Sequence, residues 1–500
     1  MRRAPAIALA FVVLSVLLSP LQRELYVGDE TKYSEVVREM RAGSFLLPTL
    51  NGTPFTHKPP LHFWAVDLLT YLFGVYSIWS FVIPSLVSFV LLLVLMRRMG
   101  GPMAAFVSGT SLLMWGSAQT ARMDVAFAAL LALSAHFIFR ERGALPLAAG
   151  VAAGIAFLVK GPMAPVITLA LFAFESIRRR RRPTWTDALA ILPMLLIPLL
   201  WLVPAILIGG EPFWREIFYK QTVGRAVGAW VHKSPPWFYL VRAPLTLLPW
   251  FFLAVTAVVG AYKRNDERAR FAVSWMLAVL VPYTLLSSKL DVYMIAMLPA
   301  VALLIARHIE TDDPWGRIAN MVTLIALALA GTVGLIVQPR HVKDGDAAAL
   351  VSRLDVRMLF AILLVAALVA MVVTLRGRLE ASTIATGLVP IIALGYAAVA
   401  LVPMANELAS TRPLVRALVQ QGAPPEEMAT YIAPHLWVRG MNPALERVRQ
   451  IGSAIELGER RPRVLVARRK DTKAIASQLD GYAKVGELRM IGKWFDVYRR

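Results

Sequence analysis

Long apolar runs dominate the sequence between residues 4 and 403, and a short charged or proline- and glycine-containing break separates each run from the next. The runs are roughly 15 to 22 residues long, close to the ~20 residues that a helix needs to cross a bilayer core. Several are at or below the usual ~17-residue minimum, so the count is open by about one or two spans. An error of one would invert the orientation of every later segment. The pattern predicts an all-α polytopic membrane protein with thirteen spans, near residues 4–20, 77–96, 102–119, 124–139, 144–160, 162–177, 188–208, 242–261, 271–287, 291–306, 318–337, 357–375 and 382–403.

Lysine and arginine are concentrated in alternate loops between these runs. By the positive-inside rule such loops are cytoplasmic, which predicts a cytoplasmic N-terminus and an extracytoplasmic C-terminus. We expect the protein to lie in the inner (plasma) membrane. The basic residues concerned are Arg2, Arg3, Arg97, Arg98, Arg140, Arg142, Arg178 to Arg182, Lys263, Arg264, Arg268, Arg270, Arg307, Arg317, Arg376 and Arg378.

The composition agrees with a membrane protein, since 57% of the residues are hydrophobic, 17% are charged and the mean hydropathy is +0.60. The net charge of +21 is spread over many loops, which favours contact with anionic membrane lipids and argues against nucleic acid as a partner. Cysteine is absent, which excludes disulfides, thiolate metal sites and a cysteine nucleophile. The sequence also lacks a phosphate-binding Gly-x-x-x-x-Gly-Lys-Ser/Thr loop.

The first apolar run has a second interpretation. "MRRAPAIALAFVVLSVLLSP" has the basic start and apolar stretch of a cleavable signal peptide, but no small-x-small cleavage site precedes Leu21. We therefore expect this run to be retained as the first span.

Two extracytoplasmic loops are long, residues 21–76 and 209–241. In the first, an apolar stripe at helical spacing ends before Gly43 and predicts a short helix on the membrane surface. A second short helix is expected after "HKPP". Residues 404–500 are more polar, and "RVLVARR" and "KWFDVYRR" have strand character, so we predict a transmembrane domain over 1–403 and a small extracytoplasmic α/β domain over 404–500. The stripe consists of Tyr33, Val36, Val37 and Met40.

Ionisable residues interrupt the apolar sequence on the predicted outer side, and such residues are functional candidates because they are costly at a membrane edge. Purely structural roles for these residues also stay open. Asp29 is also suited to N-cap the surface helix, with Glu30 favourable near the helix dipole. Lys160 and Lys289 are long enough to reach the interface without any other role. The candidates are Asp29, Glu30, His57, Lys58, Asp124, Lys160, His232, Lys233, Lys289 and Asp291.

The motifs "GDETKYSEVVREM", "HKPPLHFW", "RMDVAF", "FLVKGP", "FWREIF" and "SKLDVYMIAMLPAVALL" occur along this chain in the order and at the topological positions typical of bacterial GT-C glycosyltransferases. The chain resembles the branch that contains the lipid A aminoarabinose transferases and relatives of protein O-mannosyltransferases. The resemblance covers essentially the whole chain, and the Asp-Glu-x-x-Tyr element is its most specific part. It implies the GT-C fold and transfer of a sugar from a polyprenyl-phosphate carrier at the outer face of the membrane.

The resemblance also implies roles for individual residues. Asp29 matches the catalytic carboxylate, which would orient or accept the proton of the acceptor, and Glu30 and Asp124 match the accompanying acids. Lys58 matches the lysine that meets the carrier phosphate, where a fixed cation would stabilise the departing group. The remaining residues expected to bind substrate or carrier are Tyr33, Lys160, Lys289 and Tyr293.

The sequence departs from the aminoarabinose transferases at His57, where they have a glutamate that helps to hold a metal. His57 and His232 together suggest a two-histidine zinc site, against which stands the ordinary role of a hydrogen-bonding loop histidine. We expect no required cofactor. The departure also weakens lipid A as the expected acceptor, so the acceptor stays open between a lipid, an envelope polymer and a protein.

Two other function classes stay open beside the transferase. A lipid or solute transporter should have polar residues near mid-membrane and a repeated architecture, whereas here the charges fall at span ends and no repeat is visible. A non-catalytic relative that only binds the carrier lipid would not need Asp29, Glu30 and Lys58 together. We therefore predict an enzyme.

Overall fold

The computed structural model describes residues 4–140, 145–182, 184–223, 234–337, 356–431, 439–490 and 492–500. Most of the described chain is helical. In the first half the helices are α1 Ala4–Gln22, α2 Asp29–Arg41, α3 Leu61–Phe73, α4 Ile78–Thr110, α5 Leu112–Ala118, α6 Asp124–Arg140, α7 Leu145–Lys160, α8 Met163–Arg178, α9 Trp185–Leu189 and α10 Ile191–Arg215, which continues as a π-helix over Glu216–Val223. In the second half they are α11 Phe238–Thr246, α12 Phe251–Arg264, α13 Glu267–Leu285, α14 Leu298–Ile309, α15 Pro314–Ile336, α16 Val356–Arg376, α17 Leu379–Tyr396, α18 Val402–Ala409, α19 Arg412–Val419 and α20 Ala454–Arg460.

Each of the thirteen predicted spans coincides with one helix or with consecutive helical elements, and the last span runs through α17, a π-helix over Ala397–Leu401 and the start of α18. The second and third spans are joined in α4, which is broken at Gly100 and Gly101, where Gly101 adopts a φ of 79°. The eighth span is bent by 111° between α11 and α12. By length and composition, seven helices of the described chain are long enough to cross a membrane, or eight if the bent pair is one span.

The helix that contains Asp291–Ile309 lies at the centre of the bundle. It begins as a 3₁₀ turn, Asp291–Met297, and continues as α14. Within its most apolar stretch, 83% of the residues are buried inside the protein, compared with 17–39% for the other long candidate spans. The apolar side chains of this helix therefore pack in the protein core, whereas the other candidate spans expose apolar surface that lipid can contact.

The predicted helix of the first long loop is α2, and Gly43 follows its end with a φ of 129°. Its setting differs from the expectation of an open surface helix. The stripe of Tyr33, Val36, Val37 and Met40 is buried in the main hydrophobic core together with Phe55 and Phe63. Ser34 and Glu35 are also fully buried, because the C-terminal region covers the other face of α2. A helix buried on both sides is held by the protein and does not depend on the lipid surface for its position.

The two strands expected in the C-terminal region are present and join a five-stranded mixed sheet. β3 Met428–Tyr431 pairs in parallel with β4 Arg449–Ile451 and β5 Val464–Arg468, while β7 Lys493–Arg499 pairs antiparallel with β5 and β6 Ala483–Met490, giving the order β4-β3-β5-β7-β6. The first long loop contains a two-stranded hairpin, β1 Thr49–Leu50 and β2 Thr53–Pro54. Side chains of α19 and of the sheet, including Leu414 and Phe495, belong to the main core, so the C-terminal region packs on the bundle.

Candidate active site

Asp29 is the first residue of α2, directly after Gly28, whose φ of 152° turns the chain into the helix. The N-cap position is occupied by Gly28, and no side-chain hydrogen bond caps the helix. The interpretation of Asp29 as the N-cap is therefore wrong. Its carboxylate is 48% exposed, and Oδ2 accepts a hydrogen bond from Nη2 of Arg122 at 3.3 Å. Because it is exposed, Asp29 is accessible to a substrate group. An exposed ion pair of this kind contributes little stability.

Glu30 points away from Asp29 into the protein, and both of its carboxylate oxygens are engaged. Oε1 accepts hydrogen bonds from the guanidinium of Arg23 and from the backbone N–H of Ala121 at 3.1 Å. Oε2 accepts from the backbone N–H of Tyr26 at 2.7 Å. Glu30 was expected among the catalytic acids, but these contacts give it a structural task, because they tie α2 to the end of α1 and to the segment before α6.

Asp124 begins α6 and is buried against Lys160, the last residue of α7. Its Oδ1 accepts a hydrogen bond from Lys160 Nζ, and its Oδ2 lies 3.8 Å from Nη1 of Arg122. Lys58 adds further positive charge near this carboxylate. Asp124 is therefore the buried counter-ion of several cations, and breaking a pair of this kind costs ~3–5 kcal/mol because it leaves an uncompensated charge.

Lys160 and Tyr293 lie together, as expected for residues of one site. The Lys160 ammonium lies 4.9 Å from the ring centroid of Tyr293 and 5.4 Å from that of Phe127. Tyr293 in turn stacks on Tyr283, with ring centroids 4.8 Å apart. Since the side chain of Lys160 is only 8% exposed and is paired with Asp124, it does not merely snorkel to the membrane interface.

Lys289 and Asp291 lie in the same region but are occupied by structural contacts. Lys289 is buried, and its Nζ donates to the carbonyl oxygens of Leu286 and of Ser234, the latter at 3.1 Å. Asp291 accepts two hydrogen bonds from Arg242, at 2.9 and 2.6 Å. These contacts hold together the segments that lead into α11 and the central helix.

Tyr33 is buried beneath the acids, with its ring edge-on to Phe63 at 5.4 Å and to His62 at 6.0 Å. Burial raises the pKa of the Tyr33 hydroxyl, and the nearby charges of Asp29 and Asp124 raise it further. Burial also lowers the pKa of His62 to about 4. At neutral pH Tyr33 is therefore a hydroxyl donor and His62 an uncharged ring.

Lys58 lies in the segment between the β1–β2 hairpin and α3 and is half-buried. The neighbouring His57 is exposed, with its ring 5.2 Å from that of Phe55. The other expected metal ligand, His232, lies outside the described residues. Within the part of the chain that the structure describes, no group of three or more His, Asp or Glu side chains is arranged to hold a metal.

Arg122 is the residue of this site that the sequence reasoning missed. It contacts both Asp29 and Asp124 and thereby joins the start of α2 to the start of α6. The available signal was its place in "ARMDVAF", because an arginine in a short loop on the predicted outer side runs against the positive-inside bias. The motif drew attention to Asp124 alone.

The chain is similar in sequence to known proteins. Residues 57–208 match the family model described as dolichyl-phosphate-mannose-protein mannosyltransferase. The undecaprenyl phosphate-alpha-4-amino-4-deoxy-L-arabinose arabinosyl transferase of Yersinia enterocolitica is 27% identical over 354 residues, which are 66% of this chain and 62% of that protein. The enzyme of the same name from Yersinia pestis is 28% identical over 357 residues with the same coverage. The match thus spans less than two thirds of the length of these relatives.

Solved structures extend the similarity to the whole chain. The crystal structure of ArnT from Cupriavidus metallidurans bound to undecaprenyl phosphate superposes with a TM-score of 0.75 at 21% identity, covering 98% of this chain and 96% of that one. The apo structure of the same protein gives 0.74 at 20% identity. At this identity the comparison establishes the fold.

Proposed function

We propose that this chain transfers a sugar from a polyprenyl-phosphate carrier to an acceptor, because it belongs to the GT-C glycosyltransferase family of aminoarabinose-transferase-like and protein-mannosyltransferase-like proteins. The donor class follows the relatives, whose names specify an undecaprenyl-phosphate-linked aminoarabinose. The acceptor is a lipid, an envelope polymer or a protein hydroxyl at the outer face of the membrane.

One observation supports this function above the others: Asp29 is an accessible carboxylate beside a group of cations. Of the three acids expected in the site, Glu30 and Asp124 are buried and engaged, while Asp29 keeps half of its surface exposed. Arg122 and Lys160 lie on its inner side along a chain of ionic contacts that passes through Asp124. A base next to fixed cations suits a reaction in which a hydroxyl is deprotonated and a phosphate departs.

The proposed step is a single displacement at the anomeric carbon. The acceptor oxygen attacks this carbon and gives its proton to Asp29. The bond between the carbon and the phosphate oxygen breaks, and its electron pair leaves with the carrier phosphate, which Lys58 stabilises. The configuration at the anomeric carbon is inverted. Because charge accumulates on the phosphate as the bond breaks, a preorganised cation stabilises the transition state more than the bound donor.

The position of the site, at the helix ends opposite the basic loops, supports an extracytoplasmic location. α6 runs from Asp124 to Arg140, and α8 ends at Arg178 in a cluster of arginines. Arg178 and Arg179 pair there with Glu175. The positive-inside rule assigns this arginine-rich end to the cytoplasm.

Reporter fusions test this orientation. We expect a reporter fused after Arg500 to be active outside the cytoplasm, and one inserted within Arg178 to Arg182 to be active inside. The two fusions control for each other, because a wrong orientation exchanges their signals. A cytoplasmic reporter signal after Arg500 would contradict both the orientation and the outer-face location of the site.

A reconstituted assay tests the reaction itself. The purified protein in lipid vesicles is given undecaprenyl-phosphate aminoarabinose together with candidate acceptors, and mass spectrometry follows the sugar and the released carrier phosphate. We expect equal amounts of glycosylated acceptor and free undecaprenyl phosphate. Movement of the donor across the bilayer without release of carrier phosphate would support a transporter instead, and bound but unconsumed donor would support a non-catalytic relative.

The same assay decides the question of zinc. We propose that no metal is required, and we expect most of the transfer activity to survive treatment with a chelator and the His57→Ala substitution. Stoichiometric zinc that is lost together with activity in His57→Ala would overturn this expectation and would establish a site that includes His57.

A further inference from the structure

The C-terminal region lies against the helix that carries Asp29. Gly440 approaches the backbone of α2 so closely that an added Cβ atom would lie 2.4 Å from the carbonyl carbon and oxygen of Ser34 and 2.7 Å from the nitrogen of Glu35. A real Cβ does not tolerate such distances, so only glycine permits this contact. The neighbouring residue, Arg439, points its guanidinium at the same stretch of α2.

Arg439 joins α2 to the β1–β2 hairpin. Its Nη2 donates to Glu35 Oε1 at 2.7 Å and to the side-chain oxygen of Asn51, in the hairpin turn, at 3.4 Å. The same nitrogen lies 3.9 Å from Glu39 Oε1. One guanidinium nitrogen of the C-terminal region thus contacts both α2 and the hairpin that follows α2 in the chain.

The acceptors of Arg439 are part of a buried ionic network. The Glu35 side chain is 0% exposed and also receives two hydrogen bonds from Arg38, at 3.0 and 2.8 Å. Burial raises the pKa of Glu35, but the hydrogen bond from Arg38 and the charges of Arg439 and Arg38 outweigh it and hold the pKa below its usual range. Glu39 Oε2 accepts from the Thr49 hydroxyl at 2.6 Å and from the Gly52 N–H at 3.1 Å. The network therefore locks α2 against the hairpin.

The proposed reaction needs a base on α2 and a cation in the segment after the hairpin at a fixed distance from each other. Asp29 lies six positions before Glu35 on the same rigid helix, and Lys58 lies six positions after Gly52. A shift of α2 relative to the hairpin would therefore move the base relative to the phosphate-binding lysine. Rates are sensitive to such shifts, since a misplacement of 1 Å can cost ~10²-fold.

We propose that Arg439 of the C-terminal region is a positioning residue, which sets the separation of Asp29 and Lys58 by clamping α2 to the β1–β2 hairpin. This inference rests on the proposed function. The C-terminal region would then contribute to catalysis by holding the site together, without contacting the reacting atoms.

The Arg439→Gln substitution tests the proposal in the reconstituted transfer assay. We expect kcat at saturating donor to fall at least about tenfold, with the donor KM changed less than kcat, because Asp29 and Lys58 are both still present. Arg439→Lys keeps the charge but not the length and shape of the guanidinium, so it should recover part of kcat. Arg447→Gln is the matched control, since this exposed arginine of the same region pairs with Glu426 at 3.2 Å and lies outside the network.

A double-mutant cycle separates positioning from general damage. If Arg439 acts through Glu35, the kcat loss in Glu35→Gln with Arg439→Gln should be smaller than the product of the two single losses. Independent losses, or a kcat equal to wild type in a folded Arg439→Gln protein, would overturn the proposal. If the glutamine variant does not fold, the decision rests on Arg439→Lys, whose kcat must fall below that of Arg447→Gln.

Hydrogen exchange distinguishes a failure of this inference from a failure of the proposed function. The amides of α2 and of residues 49–54 should exchange faster in Arg439→Lys than in wild type, whether or not the protein transfers sugar. If the wild-type protein has no transferase activity, the reaction is rejected, but faster exchange in Arg439→Lys would still support the clamp. Unchanged exchange in both segments would reject the clamp.

Discussion

Asp29→Asn should lower turnover by ~10²-fold or more, the usual scale for removal of a general base, while binding of the carrier-linked sugar survives. Asparagine keeps the size of aspartate and can still accept a hydrogen bond from Arg122, but it cannot take up the proton of the acceptor. The substitution removes only an exposed ion pair, so little stability should be lost. Single-turnover transfer and direct donor binding measure the two quantities separately.

Glu24→Gln supplies a matched control for this experiment. Glu24 is a half-exposed carboxylate of the same loop, and it pairs with Arg412 rather than with the cations around Asp124. We expect near-normal transfer from this variant. A stable Asp29→Asn protein with near-normal transfer would show that Asp29 is not the base, and the role would pass to Glu30 or Asp124. Since both of these are buried and already paired, that result would also require the site to rearrange when substrate binds.

The fold was predictable because its strongest signals are local in sequence. Each predicted span contains a helix, since an apolar stretch in a bilayer must satisfy its own backbone hydrogen bonds. The stripe from Tyr33 to Met40 likewise predicted α2, because helical spacing puts these residues on one face. The covering of the opposite face by Gly440 was not predictable, because it depends on a residue some 400 positions away in the chain.

Several of the predicted site residues lie together in the structure, but their contacts were not predictable from the sequence. Adjacent acids such as Asp29 and Glu30 look equivalent in sequence, yet they point to opposite sides of the helix start, one toward Arg122 and the other toward Arg23. Lys160 and Lys289 both end apolar segments, yet one pairs with a buried carboxylate and the other with backbone carbonyls. Pairing partners decide these roles, and they come from segments whose packing no local pattern encodes.

The set of cations is the least predictable part of the site. Lys58 was found through the resemblance of "HKPP", whereas Arg122 and Arg439 were passed over because single arginines in loops are common and have no characteristic spacing. Their importance emerges only from contacts with acids of other segments. A sequence search for basic residues in the short outer loops would have found Arg122, because the charge bias makes it an exception there.

Lys58→Ala should weaken carrier binding and turnover together, unlike Asp29→Asn, which should affect turnover alone. The phosphate is already charged in the bound donor and gains charge as the sugar leaves, so the lost cation matters in both states and more in the second. We expect kcat/KM to fall by ~10²–10³-fold, the scale for losing one preorganised group at a developing oxyanion. Inhibition by added undecaprenyl phosphate should weaken in parallel, since the leaving group and the inhibitor present the same phosphate.

Two further variants make the Lys58 result specific to charge at this position. Lys58→Arg should retain much of the carrier binding, because it restores a cation within the same loop. Lys263→Ala removes an exposed lysine from the last turn of α12, at the basic end of the bundle, and should leave transfer unchanged. If Lys58→Ala lowered kcat without changing the inhibition by undecaprenyl phosphate, the lysine would not contact the carrier phosphate in the ground state. Lys160, which lies beneath Tyr293 and pairs with Asp124, would then be the next candidate for that contact.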